Sequence, residues 1–190
     1  EEATQDAEFV EEVYVTGIRA SQRGAIDLKK EAGTMADAII AEDVSQFPDK
    51  NIAEALQRIT GVQMTRDFGE GQGINIRGME QGLNRTEIDG VSALGGGAGR
   101  TVDFTQMASE LVQVLTVVKG SEARITEGGI GGTIQIEMRK PNDFEEHYFS
   151  AAFEEEYNDL SEEFSPKGNI TGVYKFTDDI GVMLNVTASD

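Results

Sequence analysis

The chain has 190 residues, 38% of them hydrophobic and 22 of them glycine, which suits a globular unit broken by many tight turns. A formal charge of −19 argues against binding nucleic acid through its phosphates, and the absence of cysteine removes disulfide frameworks and thiolate metal sites. No apolar run is long enough for a spanning helix, and no charged-then-apolar leader is present; an exported protein would already have lost it.

The acids are unevenly placed. Six carboxylates and no base precede Val13, and twelve acids against two bases follow Lys140, so a near-neutral middle is flanked by acidic pieces. Runs such as Glu154-Glu155-Glu156 read as solvated faces. Residues 1–12 lack periodicity and read as disordered. Val13-Tyr14-Val15-Thr16-Gly17 is a short β-prone run closed by glycine; it can pair within the chain or be offered to the free sheet edge of another protein. Residues 18–36 read as a linker, within which Ser21 to Glu31 suits a helix.

Met35 to Ile40 reads as a strand, and Ala41-Glu42-Asp43-Val44 as one helical turn before Phe47-Pro48. Asn51 and Glu54 have capping-box spacing, while Ile52, Leu56 and Ile59 form one helical stripe. Gly61 stands where a left-handed C-cap belongs, so the spacing predicts a helix over Ile52 to Thr60 with its stripe in the core. Val62 to Arg66 reads as a strand and Asp67 to Gly73 as a loop. That loop has the glycines of a phosphate cradle, but a strand follows it rather than the helix such a cradle needs.

Gly73-Ile74-Asn75-Ile76-Arg77-Gly78 and Arg85-Thr86-Glu87-Ile88-Asp89-Gly90 each alternate polar and apolar residues and end in glycine. They read as two antiparallel strands holding up the loop Met79–Asn84, and a loop on a rigid support is where binding residues tend to sit. Leu94 to Arg100 is a flexible loop, Asp103 is placed to cap a helix through Leu111, and Val114–Val118 is a buried strand. Thr126 to Gly132 is a glycine hinge feeding the strand Thr133–Met138, and Arg139-Lys140-Pro141-Asn142 closes the unit. Interleaved helices and strands indicate an α/β domain with a small mixed sheet.

From His147 the pattern changes to three extended runs: Tyr148–Tyr157, Lys167–Phe176, and one lined by Val182, Leu184, Val186 and Ala188. Runs of about ten residues with aromatics near their ends match a tilted transmembrane β-strand. They also match a soluble β-meander, and the runs alone leave the choice open. Two unpaired edges and a pattern that stops midway give the expectation of a longer protein.

Glu12–Gly17, Asp49–Val62, Ile76-Arg77-Gly78, Ile88-Asp89-Gly90, Val118-Lys119-Gly120 and Glu127–Thr133, in this order and spacing, resemble the motifs of a TonB-dependent outer-membrane receptor. One departure is Ser121, where many members have proline. The resemblance implies a TonB box at Val13, Tyr14, Val15, Thr16 and Gly17, an α/β plug domain over residues 37–141, and the first antiparallel strands of a transmembrane β-barrel over 142–190. The whole barrel would have roughly 22 strands.

It further implies a periplasmic TonB-like partner that adds the terminal segment as a strand and pulls, outer-membrane lipid around the barrel, and a small-molecule substrate. The wording of the TonB box, of Phe47-Pro48-Asp49 and of Thr126–Thr133 is nearest a branch associated with carbohydrate uptake; a siderophore or iron-complex receptor is the alternative. A surface-signalling receptor of the family would carry a folded domain before the TonB box, where this sequence has twelve residues. The resemblance places Gln72, Glu80, Gln81, Asn84 and Arg100 at substrate on the plug's outer loops, and Arg77 and Arg124 at plug–barrel contacts. No cofactor, metal or catalytic residue is expected, since His147 has neither metal-ligand nor triad neighbours.

Overall fold

The computed structural model describes residues 11–40, 52–67, 70–93, 100–104, 107, 111–144, 147–158, 163–177 and 179–189. They fall into two compact units, Glu1–Met138 and Arg139–Asp190.

The first unit begins with α1 (Glu11–Glu31), followed by the strand β1 (Ala36–Ile40). The short helix α2 (Ile52–Leu56) buries Ile52, Ala53, Ala55 and Leu56 completely. The α-helix ends at Leu56, short of the expected Thr60: the chain then tightens into bonds such as Ile59 N–H to Leu56 O (3.0 Å) before Gly61 turns it out at φ +75°, as the glycine predicts. The capping residue Asn51, the turn at Ala41–Val44 and the acidic residues 1–10 lie outside the described residues.

Then come β2 (Val62–Asp67), β3 (Glu70–Ile76), β4 (Asn84–Ile88), the two-residue β5 (Val91–Ser92), β6 (Val112–Val118) and β7 (Gly132–Met138). Five of them form one sheet in the order β1-β6-β7-β4-β5, while β2 and β3 pair by themselves. The larger sheet is mixed: β4 and β7 run parallel and the other pairs antiparallel. Ile134, Ile136, Val112, Leu115 and Val117 from this sheet meet Ile52 and Leu56 of α2 and Phe104 in one buried core. Between Thr101 and Phe104, and at Met107, the chain is irregular; the rest of the stretch expected as a helix before Leu111 is not described.

Three expectations are corrected here. The run Val13–Gly17 is helical, inside α1, rather than extended; the helix expected over Ser21 to Glu31 is present as the continuation of the same α1. A strand there would need a partner strand for its backbone groups, whereas continuing the helix satisfies them locally. Second, Gly73–Arg77 and Arg85–Asp89 do not form a hairpin. β3 pairs instead with β2, which sets Val62 opposite Ile76 and Met64 opposite Ile74. β4 runs beside β7, from Asn84 opposite Gly132 to Ile88 opposite Ile136. Successive left-handed residues, Arg77 at φ 54° and Gly78 at φ 72°, turn the chain out of the first sheet before a 3-10 turn at Gln81–Leu83 leads into the second. Third, the loop expected over Asp67–Gly73 shrinks, because β3 already begins at Glu70.

The second unit opens with a 3-10 turn, Pro141–Asp143, held by Lys140 N–H donating to Asp143 Oδ2 at 2.6 Å. β8 (Tyr148–Asn158), β9 (Glu163–Lys175) and β10 (Gly181–Ser189) form an antiparallel sheet with β9 in the middle. The alternation read in the sequence is realised. Phe149, Phe153, Ile170, Tyr174, Val182, Leu184 and Val186 are exposed on one face. On the other, Asn185 Nδ2 donates to Thr171 Oγ1 (2.7 Å), whose hydroxyl donates to Asn169 Oδ1 (3.1 Å). An apolar outer face over a polar, hydrogen-bonded inner face is the patterning of a membrane barrel strand. No helix among the described residues is long and apolar enough to cross a membrane.

Candidate functional site

Two copies of one turn frame the region. Ile76-Arg77-Gly78 and Ile88-Asp89-Gly90 each place a non-glycine residue and then a glycine at positive φ, the φ pattern of a type I′ turn. Asp89 holds its turn against β7, its backbone N–H donating to Ile136 O (2.9 Å) and its carboxylate accepting from Met138 N–H (3.0 Å). Arg77 N–H donates to Gly61 O at 2.8 Å, tying the end of β3 to the end of α2. Its guanidinium lies 3.3 Å from Met35 Sδ.

The residues expected at substrate separate into two kinds. Gln72, Glu80 and Arg100 are exposed. Gln81 and Asn84 are turned inward onto β2 and β3. Gln81 Nε2 donates to Thr65 Oγ1 at 2.5 Å, and its amide occupies the space where a side chain on Gly73 would stand. Asn84, 4% exposed, donates through Nδ2 to Ile74 O at 2.8 Å and so bridges the two sheets. Its Oδ1 has no hydrogen-bond partner and faces the Cα of Gly131.

That contact explains the glycine run. A Cβ on Gly131 would enter the Asn84 amide, one on Gly129 would meet Gly132 O at 2.6 Å, and one on Gly128 would lie 2.9 Å from Arg100 Nη2. The loop Gly128–Gly132 thus has Arg100 against its first glycine and Asn84 against Gly131. Arg124 is exposed and bonded to Glu122 Oε1 (2.7 Å). The neighbouring loop lines an open pocket of about 400 Å³ bordered by Gly120, Glu122, Ile125, Thr126, Glu127 and Thr133.

A charged cluster escaped sequence reading. The Asp37 carboxylate accepts from Lys119 Nζ (2.6 Å) and from Lys29 Nζ (2.5 Å), and the same Lys119 ammonium bonds the Thr60 carbonyl after α2. The Lys119 side chain is only 6% exposed, so its charge is matched inside the unit. Burial would raise the Asp37 pKa, but the two ammonium groups outweigh it and hold the carboxyl below its ordinary value. A second pair, Arg85 Nε to Glu87 Oε1 at 2.8 Å, sits on β4, with Gln135 Nε2 reaching the other Glu87 oxygen at 3.3 Å. Among the described residues no three His, Asp or Glu side chains gather as a metal site would require.

Residues 28–133, with this mixed sheet and these glycine turns, match the family described as TonB-dependent Receptor Plug Domain. The chain belongs to the TonB-dependent receptors. Over 136 residues it is 32% identical to the vitamin B12 transporter BtuB of Vibrio cholerae serotype O1, an alignment covering 69% of this chain and 21% of that protein. Solved receptors share the fold. The unliganded ferric citrate transporter FecA matches with a TM-score of 0.66 at 20% identity, covering 84% of this chain and 26% of its own. The siderophore receptor PirA from Acinetobacter baumannii matches with a TM-score of 0.62 at 22% identity, covering 86% and 25%. The chain thus spans about a fifth to a quarter of the length of these receptors. The plug and the first barrel strands are the parts it holds.

Proposed function

We propose that the chain is the gating plug and opening barrel strands of a transporter that takes a small polar solute across the Gram-negative outer membrane, driven by a periplasmic TonB-like partner. The observation that carries this reading is the match of residues 28–133 to the plug family, joined to strands with an apolar outer and a polar inner face. In the proposed orientation the plug and the amino-terminal segment face the periplasm.

Substrate meets the exposed side chains of Gln72, Glu80 and Arg100, and reaches Gln81 and Asn84 by exchanging their bonds to Thr65 and Ile74. Arg77 and Arg124 are proposed to face barrel-wall carboxylates. Planar amides and a carboxylate suit a carbohydrate, the first reading, in keeping with the wording of the amino-terminal motifs. An iron-complex or cobalamin substrate is the second, favoured by the names of the similar receptors: a vitamin B12 transporter, a ferric citrate transporter and a siderophore receptor. The residues enter as binding and gating groups, and no chemical step is assigned to them.

Energy coupling is proposed to run through Val13–Gly17, whose backbone would add to a sheet edge of the partner. Proline at Val15 removes one N–H from that ladder. In the full-length receptor, Val15→Pro is expected to abolish uptake and leave surface binding of the same solute intact; normal uptake would remove the coupling role. Uptake of labelled oligosaccharide, ferric siderophore and cobalamin by cells carrying the full-length receptor decides between the substrate readings.

A further inference from the structure

We propose that Lys119 is a positioning residue for energy coupling: with Asp37 it keeps the start of β1 fastened to the end of β6, so that a pull on α1 passes through this closed junction into the loop from Gly120 to Gly132. The inference rests on the proposed coupling role of the amino-terminal segment.

A buried ion pair adds little net stability, because desolvation offsets the attraction, so the worth of Lys119 and Asp37 lies in the geometry they fix. The Lys119 side chain is 6% exposed, and its ammonium bonds the Asp37 carboxylate at 2.6 Å and the Thr60 carbonyl. Asp37 also takes Lys29 Nζ at 2.5 Å, near the end of α1. One carboxylate and one ammonium therefore join α1, β1, the end of β6 and the chain after α2. Further contacts gather at the same point. Met35 O accepts from Lys119 N–H at 2.7 Å, and Ala36 stands opposite Val118. Thr34 fills the space where a side chain on Gly120 would stand, and a Cβ on Gly33 would lie 3.1 Å from Glu122 Oε1. Beyond Asp37 the strand continues as Ala38-Ile39-Ile40, held through its backbone ladder to β6 and through Ile39 in the core.

β1 is an edge strand, antiparallel to β6, so traction through α1 enters at Ala36, beside Val118. An untied edge strand pulled from one end gives up its ladder one bond at a time. The ties stand at the end where that peeling would begin, so they carry the pull across to Lys119 and Gly120. The chain beyond Gly120 is the glycine loop, with Gly128 against Arg100 and Gly131 against Asn84. Traction thus reaches two side chains proposed to meet substrate while β1 stays in the sheet.

The test uses the full-length receptor in cells, with uptake and surface binding measured for whichever of maltohexaose, ferric citrate and cyanocobalamin the natural receptor takes up. Lys119→Met is expected to cut uptake about tenfold. Solute binding, partner binding and the unfolding midpoint should stay unchanged, a split that a merely structural lysine would not give. Met35 and Lys119 are hydrogen-bonded opposite each other, so Ala36 and Val118 form the next, non-hydrogen-bonded pair, with Cα atoms about 4.5 Å apart and within disulfide reach. Ala36→Cys with Val118→Cys, oxidised, should transport as the natural receptor does and should restore uptake to Lys119→Met. Uptake by the cross-linked receptor only after reduction overturns the proposal, as does normal uptake by Lys119→Met or failure of the cross-link to restore it. If Lys119→Met fails to assemble, the cross-link in the natural background decides alone. Val15→Pro separates the two readings: normal uptake by that variant removes the coupling role itself, whereas its loss beside normal uptake by Lys119→Met removes only the junction.

Discussion

Asp37 is the residue through which pH should act on the first unit. Its carboxyl is held low by Lys119 and Lys29 against the opposing effect of burial. A carboxyl whose pKa is lower folded than unfolded stabilises the fold above the unfolded value, about 3.9 for aspartate, and loses that contribution as pH falls through the folded value. Unfolding midpoints of the natural chain should therefore drop as pH is taken from 5 to below ~3. Asp37→Asn should flatten that dependence, and an equally steep fall in the variant would remove Asp37 as its source. Asn84 makes a second residue-scale case. Because its Oδ1 faces the Gly131 Cα, Gly131→Ala forces the amide aside and should destabilise by about 1–3 kcal/mol, the cost of disturbing a buried hydrogen bond. If the clash is the cause, Asn84→Ala should recover part of that loss in the double variant, a non-additivity that chemical denaturation measures directly.

Among the elements, α2 carries its sequence signature openly. Its apolar stripe, acid in the first turn and closing Gly61 are all local; the helix starts where they put it and the left-handed Gly61 is in place, but its last turn, Gln57 to Thr60, is not α-helical. Leu56→Ala should cost about 2–5 kcal/mol, because the side chain is fully buried against sheet residues that close only partly around the gap. β2, β6, β7 and the three strands of the second unit were legible for the same reason, since period-two alternation is written in adjacent residues. Pairing was not. β3 and β4 look like partners because they are neighbours in sequence, yet β4 found β7 nearly fifty residues on, with Glu87 opposite Gln135. The Asp37–Lys119 contact, 82 residues apart, has no local sign at all, and Asn84 looked like a loop amide until the bond to Ile74 showed it bridging two sheets. At Val13–Gly17 the residue types favour a strand, but the segment continues α1, where its backbone groups are satisfied locally. In the proposed coupling role these residues must leave α1 to pair with a partner. Gly17→Ala, worth about 1 kcal/mol in a helix interior, should then weaken binding of the partner's periplasmic domain roughly fivefold; unchanged affinity would detach the helix from coupling.

At the scale of the whole molecule the two units present different surfaces to solvent. The first closes Ile52, Leu56, Phe104, Leu115, Ile134 and Ile136 into one core, and its large apolar side chains are mostly interior. In the second, Phe149 and Phe153 are each 73% exposed, along with Leu184, Val186 and Ile170. Such a face is stable in a bilayer and adhesive in water, where contiguous apolar surface and the outer edges of β8 and β10 both invite association. Residues 1–138 expressed alone should therefore give a soluble monomer, whereas residues 1–190 should self-associate or need detergent. Light scattering of the two chains at matched concentration separates these outcomes. Removing apolar side chains from the exposed row, as in Phe149→Ser with Phe153→Ser, should shift the longer chain toward the monomer without altering the first unit's unfolding transition. If the longer chain is monomeric in plain buffer from the start, the exposed row is not behaving as a lipid-facing surface.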